Sequence, residues 1–591
     1  MTNSGASRRL SQRHSRDRTK SFAEAKLAAR QWAETLHESA RQSQVALFTW
    51  TCMQGYAARA VPRARLRATT VFPGALHPTV AAIADNVGIE AVELGQLEAL
   101  HAITSLYPAL SSAKYRGALG AYYTPPALAD RLVMLADEAG LDWRSARVLD
   151  PAAGGGALLL RCALKMRDAM RDVEPAIALA QLGNRLLGLE VDPYAASVAQ
   201  CSLEILLADL AAESGHPVPK IVHARDTLIE PPEAKFDLVI GNPPYGRVAL
   251  TPAQRKEFAR SLYGHANLYG VFTDIAIRWA KKGGLIAYLT PASMLGGQYF
   301  SALRSLIGKA APPLNLAFVH ARSGVFEDVL QETLLAVYVK GAAPLRVSVQ
   351  HLRLQNENEL EICRNGTIAL PSDPSKPWLA PRDPHHSALI GRVERMPHRL
   401  GDWGYAVSTG PLVWNRHKPQ LRNTAGRNCL PLVWAESITW DGRFEFSAAK
   451  KNHMPWFELR ADDTWLVVRE PCVLVQRTTA KEQARRLIAA ELPEQLLKIH
   501  GGVVIENHLN MVWRKSSAKV SPAAVAAVLN SRAADEVFRC ISGSVAVSAF
   551  ELQALPLPSP AAMRPIERLI ARNVPREQIK AAIDSLYGLE S

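Results

Sequence analysis

The stretch Phe236-Asp237-Leu238-Val239-Ile240-Gly241-Asn242-Pro243-Pro244-Tyr245 sets an apolar run against a rigid polar end. Six residues of this kind, bounded by Gly and Pro, predict a strand buried on both faces. Pro243 and Pro244 fix two φ angles and remove two backbone donors, so the loop beyond the strand offers carbonyl acceptors only. The Asn242 side-chain oxygen and the Pro243 carbonyl can then both accept from one planar amino group. Drawing both hydrogens of such an amine toward acceptors localises the nitrogen lone pair and makes it a better nucleophile. Tyr245 adds a flat face for stacking. An ordinary strand-end turn is the plain alternative, and the tetrapeptide alone does not separate the two.

Similar apolar runs lie on either side, each ending in Gly, Pro, Asp or Glu and alternating with helical segments. They are 145–156 (SARVLDPAAGGG), 185–193 (RLLGLEVDP), 220–228 (KIVHARDTL), 283–293 (GGLIAYLTPAS), 314–322 (LNLAFVHAR) and 334–340 (LLAVYVK). Strand–helix alternation predicts an α/β fold with a doubly wound, mostly parallel sheet, whose ligands bind at the carboxyl ends of the strands. The polar punctuation falls at those ends. After Val148-Leu149-Asp150 comes Pro151-Ala152-Ala153-Gly154-Gly155-Gly156, a small-residue loop opening a helix, where ligand can approach the backbone and an anionic group is favoured. Glu190 ends the next strand and is placed to hold two ribose hydroxyls, although its distance from the glycine loop exceeds the ~20 residues of a dinucleotide fingerprint. Asp226 follows the strand after that and can face an adenine amino group. Either acid alone reads as a surface ion pair; in series at successive strand ends they read as a nucleoside site.

These motifs, in this order, resemble the gamma-class N6-adenine DNA methyltransferases of restriction–modification systems, typified by the TaqI enzyme, over about residues 120–340. Gly120 to Pro126, with Thr124 and Pro125, is similar to the cofactor motif that precedes the glycine loop in that class. Asp150 through Gly156, including Ala152, Gly154 and Gly156, is similar to its methionine-moiety loop. The resemblance implies S-adenosylmethionine as cofactor, with Glu190 at the ribose and Asp226 at the adenine. It makes Asn242, Pro243, Pro244 and Tyr245 the catalytic motif, and sets Phe326, in Ser323-Gly324-Val325-Phe326, across the flipped target base from Tyr245. It implies no metal. Segments 473–479, 505–509, 528–531 and 555–558 resemble parts of a DNA target-recognition domain.

The rest of the 591-residue chain agrees with several domains. Hydrophobic residues at 48% and charged residues at 21% exclude a mainly disordered chain. No stretch approaches the ~20 apolar residues that span a bilayer, and the basic start has no apolar region of a secretory signal behind it. Seven scattered cysteines without a CxxC pair argue against a disulfide scaffold or a four-cysteine zinc site. A cytoplasmic protein with reduced thiols and no membrane contact is expected. The net charge of +14 suits a polyanionic partner. The expected organisation is a disordered basic arm at 1–20, a helical N-terminal domain at 21–115 and a catalytic domain at 116–363. A Pro-rich linker at 364–386 and a basic, tryptophan-rich α+β recognition domain at 387–591 complete it.

The expected function is methyl transfer to the N6 of adenine flipped out of duplex DNA, as the modification enzyme of a restriction–modification system, with a cognate restriction endonuclease acting at the same site as a further partner. Three alternatives stay open. Cytosine N4 is also a planar exocyclic amine. A bifunctional restriction–modification protein would carry a nuclease; Glu24-Ala25-Lys26 is an ExK triplet but lies in a helical pattern. A catalytically silent DNA-binding subunit is the third.

Overall fold

The computed structural model describes residues 23–119, 124–232, 234–321, 332–343, 346–478 and 485–589. The expected basic arm, residues 120–123 of the first cofactor motif, and Phe326 lie outside them. The chain forms two compact units. One is built from the described residues of Met1–Pro291, Lys309–Pro344 and Leu352–Ile362; the other from those of Ala292–Gly308, Leu345–His351 and Cys363–Ser591.

Every apolar run of the central region is a strand: β1 Val148–Asp150, β2 Leu186–Glu190, β3 Val222–Ala224, β4 Phe236–Gly241, β5 Ala280–Pro291, β6 Pro313–Ala321 and β7 Thr333–Val339. The sheet order of these strands is β3-β2-β1-β4-β5-β7-β6. Pairing is parallel from β3 through β5. β7 runs antiparallel between β5 and β6. The doubly wound, mostly parallel sheet is therefore present, with its order reversing between β1 and β4. Such a reversal opens a crevice at the strands' carboxyl ends.

The helices Glu38–Ala60, Pro78–Ala91, Gln96–Thr104, Leu106–Leu110 and Ala113–Leu119 precede the sheet. Glu24-Ala25-Lys26 is helical, as its pattern predicts. This region was expected as a domain of its own, but its compact unit is shared. Phe48, Met53, Val87 and Leu100 join the same buried cluster as Leu159, Leu203 and Leu285. The segment between these helices is tied down as well, since Arg67 N donates to Glu204 Oε2 at 2.8 Å.

The second unit holds a four-stranded sheet and a five-stranded sheet, followed by helices from Pro522 to Leu586. Its limits differ from those expected for a recognition domain, because residues of 292–308 belong to it. The expected Pro-rich linker is packed rather than free. Trp378 is fully buried, and its Nε1 donates to Pro374 O at 2.9 Å. The buried guanidinium of Arg304 donates to the carbonyls of Met294, Gly297, Ser375 and Lys376. Prolines remove donors from the segment, and one arginine satisfies its carbonyls at Ser375 and Lys376.

Candidate active site

A cavity of about 340 Å³ lies at the carboxyl ends of β1 to β4, within the size range of small-molecule sites. Asp150, Ala152, Gly154, Glu190, Asp226, Thr124, Asn242 and Pro244 all line it. Residues separated by more than one hundred positions in sequence thus face one space, because four adjacent strands end there.

The glycine loop is held from two sides. Asp150 Oδ1 accepts from Ala152 N at 3.1 Å, and Glu190 Oε2 accepts from Gly154 N at 2.8 Å. Gly154 and Gly156 have φ of +51° and +85°, a region that disfavours side chains. Gly156 caps the helix Ala157–Ala169 behind the wall. Pro125 begins the helix Pro126–Glu138 and shapes the approach of Thr124 without lining the cavity itself. The third strand end is tied to the first: Thr227 Oγ1 donates to Pro151 O at 2.6 Å, which sets Asp226 beside the glycine loop.

Two carboxyls here are shifted strongly. Burial pushes Asp150 up to about 7, with the charge of Glu190 adding to it. Burial likewise pushes Glu190 up to about 7, against the pull of the Asp192 and Gly154 N–H groups. Glu190 spends one lone pair on each oxygen in these bonds, leaving acceptor capacity toward the cavity.

At the end of β4, Asn242 Nδ2 donates to Thr124 Oγ1 at 3.1 Å, and Asn242 Oδ1 accepts from the Tyr245 hydroxyl at 2.9 Å. The amide is therefore held with its oxygen and nitrogen on defined sides. Tyr245 does not itself line the cavity; its hydroxyl also lies 3.3 Å from Leu289 O, and its ring is edge-on to Tyr269 at 6.4 Å. Burial pushes the Tyr245 phenol above its ordinary value, so it remains a donor.

Sequence reasoning missed part of this cavity. Val248, Leu268 and Phe272 form an apolar side, and Thr104, Tyr107, Ser111, Tyr115 and Arg116 come from the N-terminal helices. Asp192 also lines it, and the acidic end of Gly188-Leu189-Glu190-Val191-Asp192 was the one signal for it. The N-terminal residues carry no spacing or motif that would have marked them.

Two polar side chains of the segments that resemble a target-recognition domain are occupied within the second unit. Gln476 Nε2 donates to Ala435 O and Ile438 O at 3.1 and 2.9 Å. Asn530 is similarly occupied, exchanging bonds with the backbone of Ala489. Both side chains hold strands and turns together. Arg477 donates to Asn507 O at 3.1 Å.

A doubly wound sheet with β7 reversed beside β5, and a pocket at the ends of β1 to β4 lined by a glycine loop and carboxylates, has the architecture of Rossmann-like methyltransferases. Residues 184–312 match the family model described as Eco57I restriction-modification methylase. The type II methyltransferase M.BsuBI of Bacillus subtilis is 24% identical over 463 residues, which cover 76% of this chain and 89% of that protein. M.PstI of Providencia stuartii is 27% identical over 346 residues, covering 56% of this chain and 67% of that protein. M.TthHB8I of Thermus thermophilus is 30% identical over 213 residues, covering 34% and 41%. Over these spans the chain is similar to restriction–modification and type II methyltransferases.

Proposed function

We propose that this protein transfers a methyl group from S-adenosylmethionine to the N6 of an adenine flipped out of duplex DNA, as the modification enzyme of a restriction–modification system. The observation that carries the reading is that Asn242 and Pro244 line the same cavity as Asp150, Glu190 and Asp226.

The cavity's residues suit S-adenosylmethionine. An ideal Cβ built on Gly154 meets nothing within 4 Å, so the loop leaves room for a ligand against its backbone. Glu190 would hold the ribose hydroxyls with its remaining lone pairs, Asp226 the adenine amine, and the loop from Asp150 to Gly156 the methionine end. When bound, the cofactor supplies a methyl group on a sulfonium, already a strong alkylating centre. The protein's part is then orientation and electrostatics.

Thr124 holds the amide nitrogen of Asn242, so the oxygen faces the other way. An adenine amine entering beside Asn242 and Pro243 would give one hydrogen to each of their oxygens, replacing the Tyr245 hydroxyl at Asn242. Tyr245 offers the ring face for stacking, and Phe326 is proposed for the opposite face. The unstacked base costs a few kcal/mol to extrude.

The second unit is proposed to read the DNA sequence, supported by its net charge of +5 over residues 401–520, from 17 basic and 12 acidic residues. Swapping this region between relatives of different specificity tests it. A cut near residue 364 would not isolate the first unit, since residues of 292–308 and 345–351 belong to the second. Single-molecule sequencing of DNA from a host expressing the chain tests the central reading. It reports N6-methyladenine in a fixed context if the reading holds. N4-methylcytosine would transfer the same geometry to cytosine, and unmodified DNA would overturn the assignment.

A further inference from the structure

Asp192 is 5% exposed and begins the helix Pro193–Leu206, where its Oδ1 accepts from Tyr194 N at 2.9 Å. Capping the helix uses only that oxygen. Oδ2 accepts from two phenols of the N-terminal region, Tyr107 and Tyr115, each at 2.7 Å. Gln42 Nε2 donates to both phenol oxygens, so the tyrosines are themselves held from behind. Arg41 Nε donates to Leu110 O at 2.9 Å and ties the same helix pair together. Burial and the charge of Asp192 keep the Tyr107 proton in place; burial does the same for Tyr115.

Three features make this network part of the site rather than ordinary packing. Tyr107, Tyr115 and Asp192 all line the cavity. Asp192 N donates to Glu190 Oε1 at 3.0 Å, so the position of Asp192 sets that of the carboxylate beside the glycine loop. On that loop, a Cβ at Gly155 would lie 3.0 Å from Thr104 Cβ, which shows how closely the helix Gln96–Thr104 closes upon it.

We propose that Tyr107 and Tyr115 are positioning residues of the cofactor site, holding Asp192 and through it Glu190, so that the N-terminal helices form one wall of the S-adenosylmethionine pocket. The proposal rests on reading that pocket as the S-adenosylmethionine site. Two hydrogen bonds from the phenols hold Asp192 Oδ2 in place. Binding and the order of helices 96–119 are then linked, because a ligand that engages only the formed site stabilises every element that forms it.

The test uses the full chain with Tyr107→Phe, Tyr115→Phe and the double substitution, which remove hydroxyls and keep the rings. Calorimetry with S-adenosylmethionine and with S-adenosylhomocysteine should show affinity about tenfold lower in each single variant and on the order of a hundredfold lower in the double variant. Hydrogen exchange should show residues 106–119 gaining protection when the wild-type protein binds ligand, and gaining much less in the double variant at equal saturation. Unchanged affinity in the double variant overturns the proposal, whatever happens to its melting temperature. If affinity and melting temperature both fall, exchange decides: an equal gain of protection at equal saturation in both proteins means a structural role and overturns it. A wild-type protein that binds neither ligand overturns the pocket assignment itself, a result separate from any difference between variants.

Discussion

The Tyr245 hydroxyl donates to Asn242 Oδ1 at 2.9 Å. The aromatic residue of the strand-end loop is thus a hydrogen-bond partner of the asparagine as well as a ring for stacking. A neutral donor occupies the oxygen that a substrate amine would use, and exchanging one neutral donor for another costs little net free energy. Asn242→Ala removes the acceptor and should lower turnover by a factor of roughly 10²–10³ while cofactor affinity stays unchanged. Tyr245→Phe keeps the ring and should cost less than about tenfold, whereas Tyr245→Ala should lose a stacking contribution of about 1–3 kcal/mol. Single-turnover methylation with calorimetric cofactor binding measures both quantities. Near-normal turnover in Asn242→Ala would remove this residue from the chemistry.

Thr124 reaches Asn242 across 118 positions of sequence, and its hydroxyl oxygen accepts from the amide nitrogen. Thr124→Val keeps the shape and deletes that acceptor. The amide then loses one of the bonds that set its rotation, and kcat should fall about fivefold, since one neutral hydrogen bond is worth about 1 kcal/mol. Stopped-flow or quench-flow kinetics at saturating cofactor would show a fall in kcat. A change confined to KM would assign Thr124 to binding alone.

Glu190 rises from 4.5 to about 7 in the folded protein. Between those values the folded chain keeps a proton that the unfolded chain releases, so this group's contribution makes stability fall as pH rises across the window and level off above it. Asp150, raised from 3.8 to about 7, acts in the same direction. Hydroxyls of a bound ligand donate to the ionised carboxylate, so binding below pH 7 should release a proton, and affinity should rise with pH up to about 7. Titrations in buffers of different ionisation heat measure the proton, and Glu190→Gln should remove its share. Affinity that falls over the same range would contradict the assignment.

Gln476 uses its amide nitrogen on the carbonyls of Ala435 and Ile438. Gln476→Ala should therefore destabilise the second unit by about 1–3 kcal/mol, the cost of leaving part-buried carbonyls without their donor, and leave the methylated sequence unaltered. Thermal melting and sequencing of modified DNA check the two halves. A relaxed recognition sequence would return Gln476 to the DNA-reading surface.

Much of this protein is written locally. The alternation of short apolar runs with helical segments determines the strands of the parallel region, because a strand buried on both faces must be continuously apolar. The placing of Asp150, Glu190, Asp226 and Asn242 at strand ends was legible for the same reason, since each ends its run or follows it within two residues. What tertiary structure alone decided depends on partners far apart in the chain. Tyr107 meets Asp192 across 85 positions, and Arg304 meets Ser375 across 71. Neither pairing leaves a periodicity or a motif. Gln476 and Asn530 lie in segments that resemble a target-recognition domain, and residues 364–386 read as a linker. Whether a polar side chain reads a ligand or satisfies a carbonyl depends on which backbone groups folding leaves beside it. That is a property of the packed chain, and no local stretch of residues contains it.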